Sequence, residues 1–112
     1  MRPRPRATKQ RLEDVVGAIR AIHGHLGRGD LTDPLVFDAV RMRFVEIGEA
    51  VGALPDALLA SEPSIPWPEV VAMRHKLAHH YYDAAVGVLA ATVSDDLPAL
   101  EAAVGRMLER VG

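Results

Sequence analysis

The chain of 112 residues contains no cysteine. That absence excludes disulfides, thiolate metal sites and a thiol nucleophile. No stretch of about 18 uninterrupted apolar residues occurs either, so no transmembrane helix is expected. Arg2, Arg4 and Arg6 open the chain, but Glu13 and Asp14 interrupt the residues after them. No signal-peptide apolar core is formed, and the expected location is the cytoplasm. No window alternates apolar and polar residues between turn signals, which argues against strands. A length of 112 residues fits one domain and rules out a multidomain enzyme; a chain of this size buries about two-thirds of its unfolded surface.

Charge is present in quantity but unevenly placed. Residues 1–11 hold five bases (Arg2, Arg4, Arg6, Lys9, Arg11) and no acid, which leaves eight bases against fifteen acids on the remainder. So acidic a body is a poor general surface for phosphate, and nucleic acid would have to bind at the arm or at one concentrated site. Residues 1–8, with Pro3 and Pro5 among the arginines, read as a basic, disordered arm, because proline lacks the donor that helix and sheet require. Residues 9–112 read as a single helical domain.

Within that domain the apolar positions follow helical spacing. Leu12, Val15, Val16, Ile19, Ile22 and Leu26 mark a first helix ending near Gly24 and Gly27. Asp33-Pro34 is a helix start, with a side-chain acceptor followed by a proline whose missing N–H costs nothing there. Phe37, Val40, Phe44, Ile47, Val51 and Leu54 then form a heptad-like seam, suited to a long neighbouring helix or a second subunit. After Pro55, residues 56–62 have room for a short helix, and Ser64 to Pro68 form a rigid connector carrying Trp67. A further helix is expected from Pro68 through Ala78, an apolar segment over 83–93, and a last helix starting at Asp95-Asp96. The expected fold is an all-α bundle of four to six helices.

One segment stands apart from this packing pattern. Met73 to Asp83 contains three of the five histidines, two of the five aromatics, and the fixed cations Arg74 and Lys76. Such groups are expensive to bury unpaired, so core packing does not explain their density. Imidazole titrates near neutral pH, and guanidinium is a planar cation suited to phosphate. Together they suffice for RNA cleavage without a metal: a neutral histidine removes the 2′-hydroxyl proton while arginine offsets charge on the pentacoordinate phosphorus. At about 100° per residue, however, position 79 lies about 140° around a helix from position 74. Either the helix opens near Ala78, or arginine and histidine meet across a two-fold interface.

Arg74, four residues, His79, one residue and Tyr81 resemble the R-x-x-x-x-H-x-Y motif of the HepT-like proteins, part of the HEPN class of helical ribonucleases. The resemblance extends to Phe37, Arg43, Ile47-Gly48-Glu49-Ala50, Ile65-Pro66-Trp67, Met73-Arg74 and Asp96-Leu97-Pro98, and covers roughly residues 10–105. It implies a HEPN-like, dimeric helical bundle and a metal-independent ribonuclease toxin acting on RNA, tRNA among the candidates, with no cofactor. It further implies a minimal nucleotidyltransferase as partner and antitoxin, and a homodimer whose motifs line one cleft. By the same resemblance Arg74 and His79 form the catalytic pair, His75 is a supporting polar group, and Tyr81 matches the tyrosine that the partner modifies by AMPylation. Added AMP would bring bulk and negative charge to the place of the substrate phosphate. The spacing from Arg74 selects His79 and Tyr81 over the adjacent His80 and Tyr82. Ala90 stands where members of the family often carry tryptophan.

Plainer readings stand beside these. Arg74 and His79 can be a surface arginine and a helix-ending histidine favoured by the helix dipole, and Tyr81 can anchor a turn. Glu46 and Glu49, three residues apart on the second helix, can face the cleft and orient Arg74 or can line a solvated face. His23 and His25 lack a neighbouring carboxylate and make a weak metal pair, so no metal site is expected. Two other functions compete with cleavage. One is a non-catalytic helical dimer that binds a nucleotidyltransferase, and the other is a nucleotide-binding domain using the same arginine and histidine.

Overall fold

All regular structure described in the computed structural model of the chain is helical; the description covers residues 5–79 and 82–111, without the side chains at 5, 6, 78, 79 and 82–85. Six α-helices follow one another as α1 (Pro5–Leu26), α2 (Pro34–Gly52), α3 (Asp56–Ala60), α4 (Trp67–His79), α5 (Tyr82–Ala91) and α6 (Leu97–Val111), with a π-helical turn at Thr92–Asp96. The all-α bundle expected from periodicity is therefore what forms. Among the described residues no helix is long and apolar enough to cross a membrane.

The first helix begins earlier than its apolar pattern suggests. It starts at Pro5, and Thr8 is already buried. The boundary of a basic arm at residue 8 is thereby corrected. Proline is compatible with the first turn of a helix, where its N–H would have no partner in any case. Leu12, Val15, Ile19 and Ile22 are fully buried on one face of α1, as their helical spacing requires.

The start of α2 also follows from local chemistry. The Asp33 carboxylate accepts the Leu35 N–H at 2.9 Å, and Pro34 occupies the first helical position. Such a cap is worth about 1 kcal/mol. The seam from Phe37 to Leu54 is buried within the chain, with Val40, Ile47 and Val51 wholly covered. It packs on α1 and α4, while α6 lies against α1. A fully buried Leu or Ile contributes about 1.5–3 kcal/mol, so this aliphatic core outweighs the exposed ion pairs of the surface.

Two polar clamps fix the connector ahead of α4. The Trp67 indole Nε1 donates to the carbonyls of Leu59 at 2.8 Å and Glu62 at 3.0 Å, tying the start of α4 to the end of α3. The Glu62 carboxylate is almost fully buried and accepts from Arg106 at 2.7 Å and Arg110 at 2.7 Å, both on α6. Hydrogen bonds from Arg106 and then Arg110 hold its pKa at about 2, well below the ordinary 4.5.

The expected helix start at Asp95-Asp96 is replaced by continuous helix. The chain passes from α5 through the π turn into α6, and Leu97 N–H bonds to the Thr92 carbonyl, five residues back. Pro98 is the physical reason. Its ring would collide with the carbonyl four residues earlier in a regular α-turn, and it has no N–H to give; a wider turn relieves both.

Candidate active site

Arg74 sits on the face of α4 that meets α2, and Gly48 is what allows the two helices so close. A Cβ at residue 48 would lie 3.3 Å from the carbonyl oxygens of Val70 and Val71 and 3.7 Å from the Cβ of Arg74. A Cβ at Gly52 would meet the Val71 side chain at 3.7 Å. The pairs 52 with 71 and 48 with 74 run in opposite directions, so α2 and α4 are antiparallel. The turn of α2 that precedes Gly48 consequently lies toward the C-terminal end of α4, the end that carries the motif.

Arg74 is half-buried, and its Nε is shut off from solvent without a hydrogen-bond partner. The Nε of Arg41, on α2, is in the same condition, and these are the buried side-chain nitrogens or oxygens left unpaired among the described residues. An unpaired buried donor is costly, so two of them call for an explanation. Sequence reasoning passed over Arg41, since a lone arginine on an amphipathic helix is ordinary there.

The other predicted residues divide. His75 follows Arg74 on α4 and is exposed. The His79 side chain and the whole of Tyr81 lie outside the described residues. The α4 backbone runs without a break to His79, so the helix does not open at Ala78, and positions 74 and 79 keep their offset of about 140° around the axis.

Glu49 is not brought to Arg74. No hydrogen bond or ion pair joins the two, and Glu49 instead lines a groove of about 480 Å³ between α1 and α2. The reason is helical phase: Gly48 occupies the α4-facing position, which turns residue 49 toward α1. Glu46 lines the same groove and is engaged by Arg43, whose NH1 donates to its two oxygens at 3.0 and 3.1 Å. Arg43 Nε also donates to His25 Nε2 at 3.2 Å. That lone pair of His25 is therefore occupied, and no group of three or more metal-ligating side chains occurs among the described residues.

Two hollows among the described residues are poorly suited to a phosphate. The α1–α2 groove carries Glu13, Asp14, Glu46 and Glu49 against Arg11 and Arg43. A second cavity of about 180 Å³, between Phe44, Ile47, Ile65, Val70 and Leu97, is mainly aliphatic and bears only Glu69 and Asp96 as charged groups.

An all-helical bundle whose α4 runs through the motif residue Arg74 to His79 fits the class of HEPN-type helical ribonucleases. The chain belongs to the HepT-like family: the family model described as ribonuclease HepT-like matches residues 12–107. It is similar to a protein named "Probable ribonuclease HepT" from Thermococcus cleftensis, 34% identical over 100 residues that cover 86% of this chain and 91% of the relative. It is also similar to a protein named as an RNase from Caldanaerobacter subterraneus subsp. tengcongensis, 32% identical over 78 residues and 70% of each chain. No solved structure matches.

Proposed function

We propose that this chain is a metal-independent endoribonuclease toxin that acts as a homodimer in the cytoplasm, with tRNA as substrate. Its partner is a minimal nucleotidyltransferase antitoxin that silences it by AMPylation of Tyr81. The observation that carries the reading is Arg74, a half-buried cation with an unpaired Nε, inside a motif that falls within the family match. Each step needs only protein side chains. His79 removes the proton from a ribose 2′-hydroxyl, and the 2′-oxygen attacks the adjacent phosphorus. Arg74 stabilises the charge that builds on the phosphoryl oxygens. The bond from phosphorus to the 5′-oxygen then breaks, that oxygen takes the proton held by His79, and a 2′,3′-cyclic phosphate and a 5′-hydroxyl remain.

Homodimerisation is supported by the uninterrupted course of α4 to His79. With the two positions about 140° apart on one helix, a two-fold axis offers a way for arginine of one copy and histidine of the other to share a phosphate. AMP on Tyr81 would bring bulk and negative charge into the motif and so compete with substrate.

The test is cleavage of total tRNA in EDTA by wild type, Arg74→Ala and His79→Ala, with intact mass recorded on each preparation. Cleavage by wild type, with losses of about a hundredfold or more in both variants, is expected. Equal cleavage by all three refutes the assignment of the pair. Unmodified wild type that fails to cleave refutes the ribonuclease reading and favours a non-catalytic dimer that binds the nucleotidyltransferase. A preparation carrying the mass of AMP is first stripped with a phosphodiesterase and then assayed again.

A further inference from the structure

Resting on that reading, we infer that Arg41 is a second substrate-binding residue of the cleft, clamping an RNA phosphodiester together with Arg74. Three observations converge on it. First, its Nε and that of Arg74 are the side-chain donors left buried and unpaired among the described residues. Second, Arg41 precedes Gly48 by seven residues, which places it on nearly the same face of α2, about 10 Å along the axis. Because α4 runs antiparallel and meets Gly48 at Arg74, that displacement leads from Arg74 toward the motif-bearing end of α4. Third, among the described residues the charge of Arg41 is scarcely neutralised. Among the described residues its ion-pair partner is Asp38 at 3.4 Å, a carboxylate that is itself 64% exposed, and such pairs contribute little.

The side chain is also positioned for the role. Its guanidinium carbon lies 6.0 Å from the centre of the Phe37 ring, one turn earlier on α2. That contact holds the planar group while leaving the side chain 38% exposed. Guanidinium forks match phosphate oxygens in pairs, and a phosphodiester is the anion that RNA presents at each nucleotide. Two such forks spaced along the antiparallel pair of helices fit adjacent phosphates of a strand. In a chain whose fifteen acids all lie from Glu13 onward, a concentrated pair of this kind supplies the attraction that the general surface lacks.

The experiment compares wild type, Arg41→Gln, Arg41→Lys and Arg74→Ala. Binding of a fluorescent single-stranded RNA is measured against salt in a His79→Ala background that prevents cutting, and cleavage kinetics are measured in the parent. Glutamine keeps most of the stem on Phe37, and melting temperature is recorded for every variant. Arg41→Gln is expected to weaken RNA binding about tenfold and to reduce the slope of log Kd against log salt by about 1, with KM rising more than kcat falls. Arg41→Lys should keep the salt slope and recover part of the affinity.

An Arg41→Gln chain with wild-type slope and KM, while Arg74→Ala loses binding, overturns the role of Arg41 and leaves the ribonuclease reading intact. Equal loss in Arg41→Gln and Arg41→Lys with lowered melting temperature in both also overturns it, since that pattern marks a structural arginine. Wild type that neither binds nor cuts RNA overturns both.

Discussion

Replacing Gly48 by alanine tests whether the close approach of α2 and α4 positions the site. An alanine in mid-helix normally gains about 0.5–1 kcal/mol over glycine, because the unfolded chain loses less freedom on folding. At residue 48 the new methyl would stand 3.3 Å from two backbone carbonyl oxygens on α4. Those atoms belong to hydrogen-bonded helix and cannot swing aside as a flexible side chain would, so α4 itself must retreat. Overpacking of this kind costs about 1–3 kcal/mol, and the net expectation is a loss of about 1 kcal/mol.

Gly17 supplies the control, being exposed in mid-α1 with nothing within 4 Å of an added Cβ. Gly17→Ala should therefore stabilise by about 0.5–1 kcal/mol. For a domain of this size the two variants should melt on opposite sides of wild type, separated by roughly 5–10 °C. A displaced α4 also carries Arg74 with it, and if Arg74 acts as proposed, an error of a few tenths of an ångström there is worth up to about tenfold in rate. Thermal melts followed by circular dichroism and cleavage of tRNA provide the two readouts. If Gly48→Ala is as stabilising as Gly17→Ala and equally active, the tight seam has no part in placing the site.

Two further outcomes concern the frame that holds α4. The Glu62 carboxyl has a folded-state pKa of about 2 against an ordinary 4.5, so its stabilising effect is complete above about pH 5 and is lost as pH falls toward 2. Glu62→Gln should melt lower than wild type at neutral pH, and the gap should close on acidification; a constant gap from pH 7 to pH 2.5 would rule out the ionised clamp with Arg106 and Arg110. Trp67→Phe removes one indole donor shared by the Leu59 and Glu62 carbonyls, each of which also accepts a backbone N–H. The expected cost is therefore only about 1–2 kcal/mol in chemical denaturation, mostly the hydrogen bonds and the smaller ring, and an unchanged denaturation midpoint would refute it.

Local chemistry made most of the helices legible in advance. Asp33-Pro34 marks a start because a cap and a donor-free proline suit the first turn wherever the helix later packs. The positions from Leu12 to Ile22 and from Phe37 to Leu54 announce buried faces because burial must recur with the helical period. Pro5 and Pro98 were harder to read, and for one reason. A proline rules out a hydrogen bond, but whether the chain stops, begins or widens there depends on what the neighbouring turns bury. Thr8 is covered, so α1 extends back to Pro5; the chain beyond Ala91 stays helical, so Pro98 is met by a π turn.

The site divides along the same line. The motif of Arg74, His79 and Tyr81 is a matter of residue type and spacing, and those are properties of the chain alone. The partners of a side chain are not, because a contact between α2 and α4 depends on how two helices cross. Gly48 looks in the sequence like one small residue among nine glycines, and only the crossing shows that its missing Cβ admits the Val70 and Val71 carbonyls. That same crossing turns Glu49 away toward α1, and the packing leaves Arg41 and Arg74 each with a buried, unpaired Nε. By itself the sequence determined the helices and the chemical groups they carry, since both follow from local propensity and spacing; which of those groups share a desolvated surface was decided by the tertiary packing, because desolvation is a property of neighbours far apart in the chain.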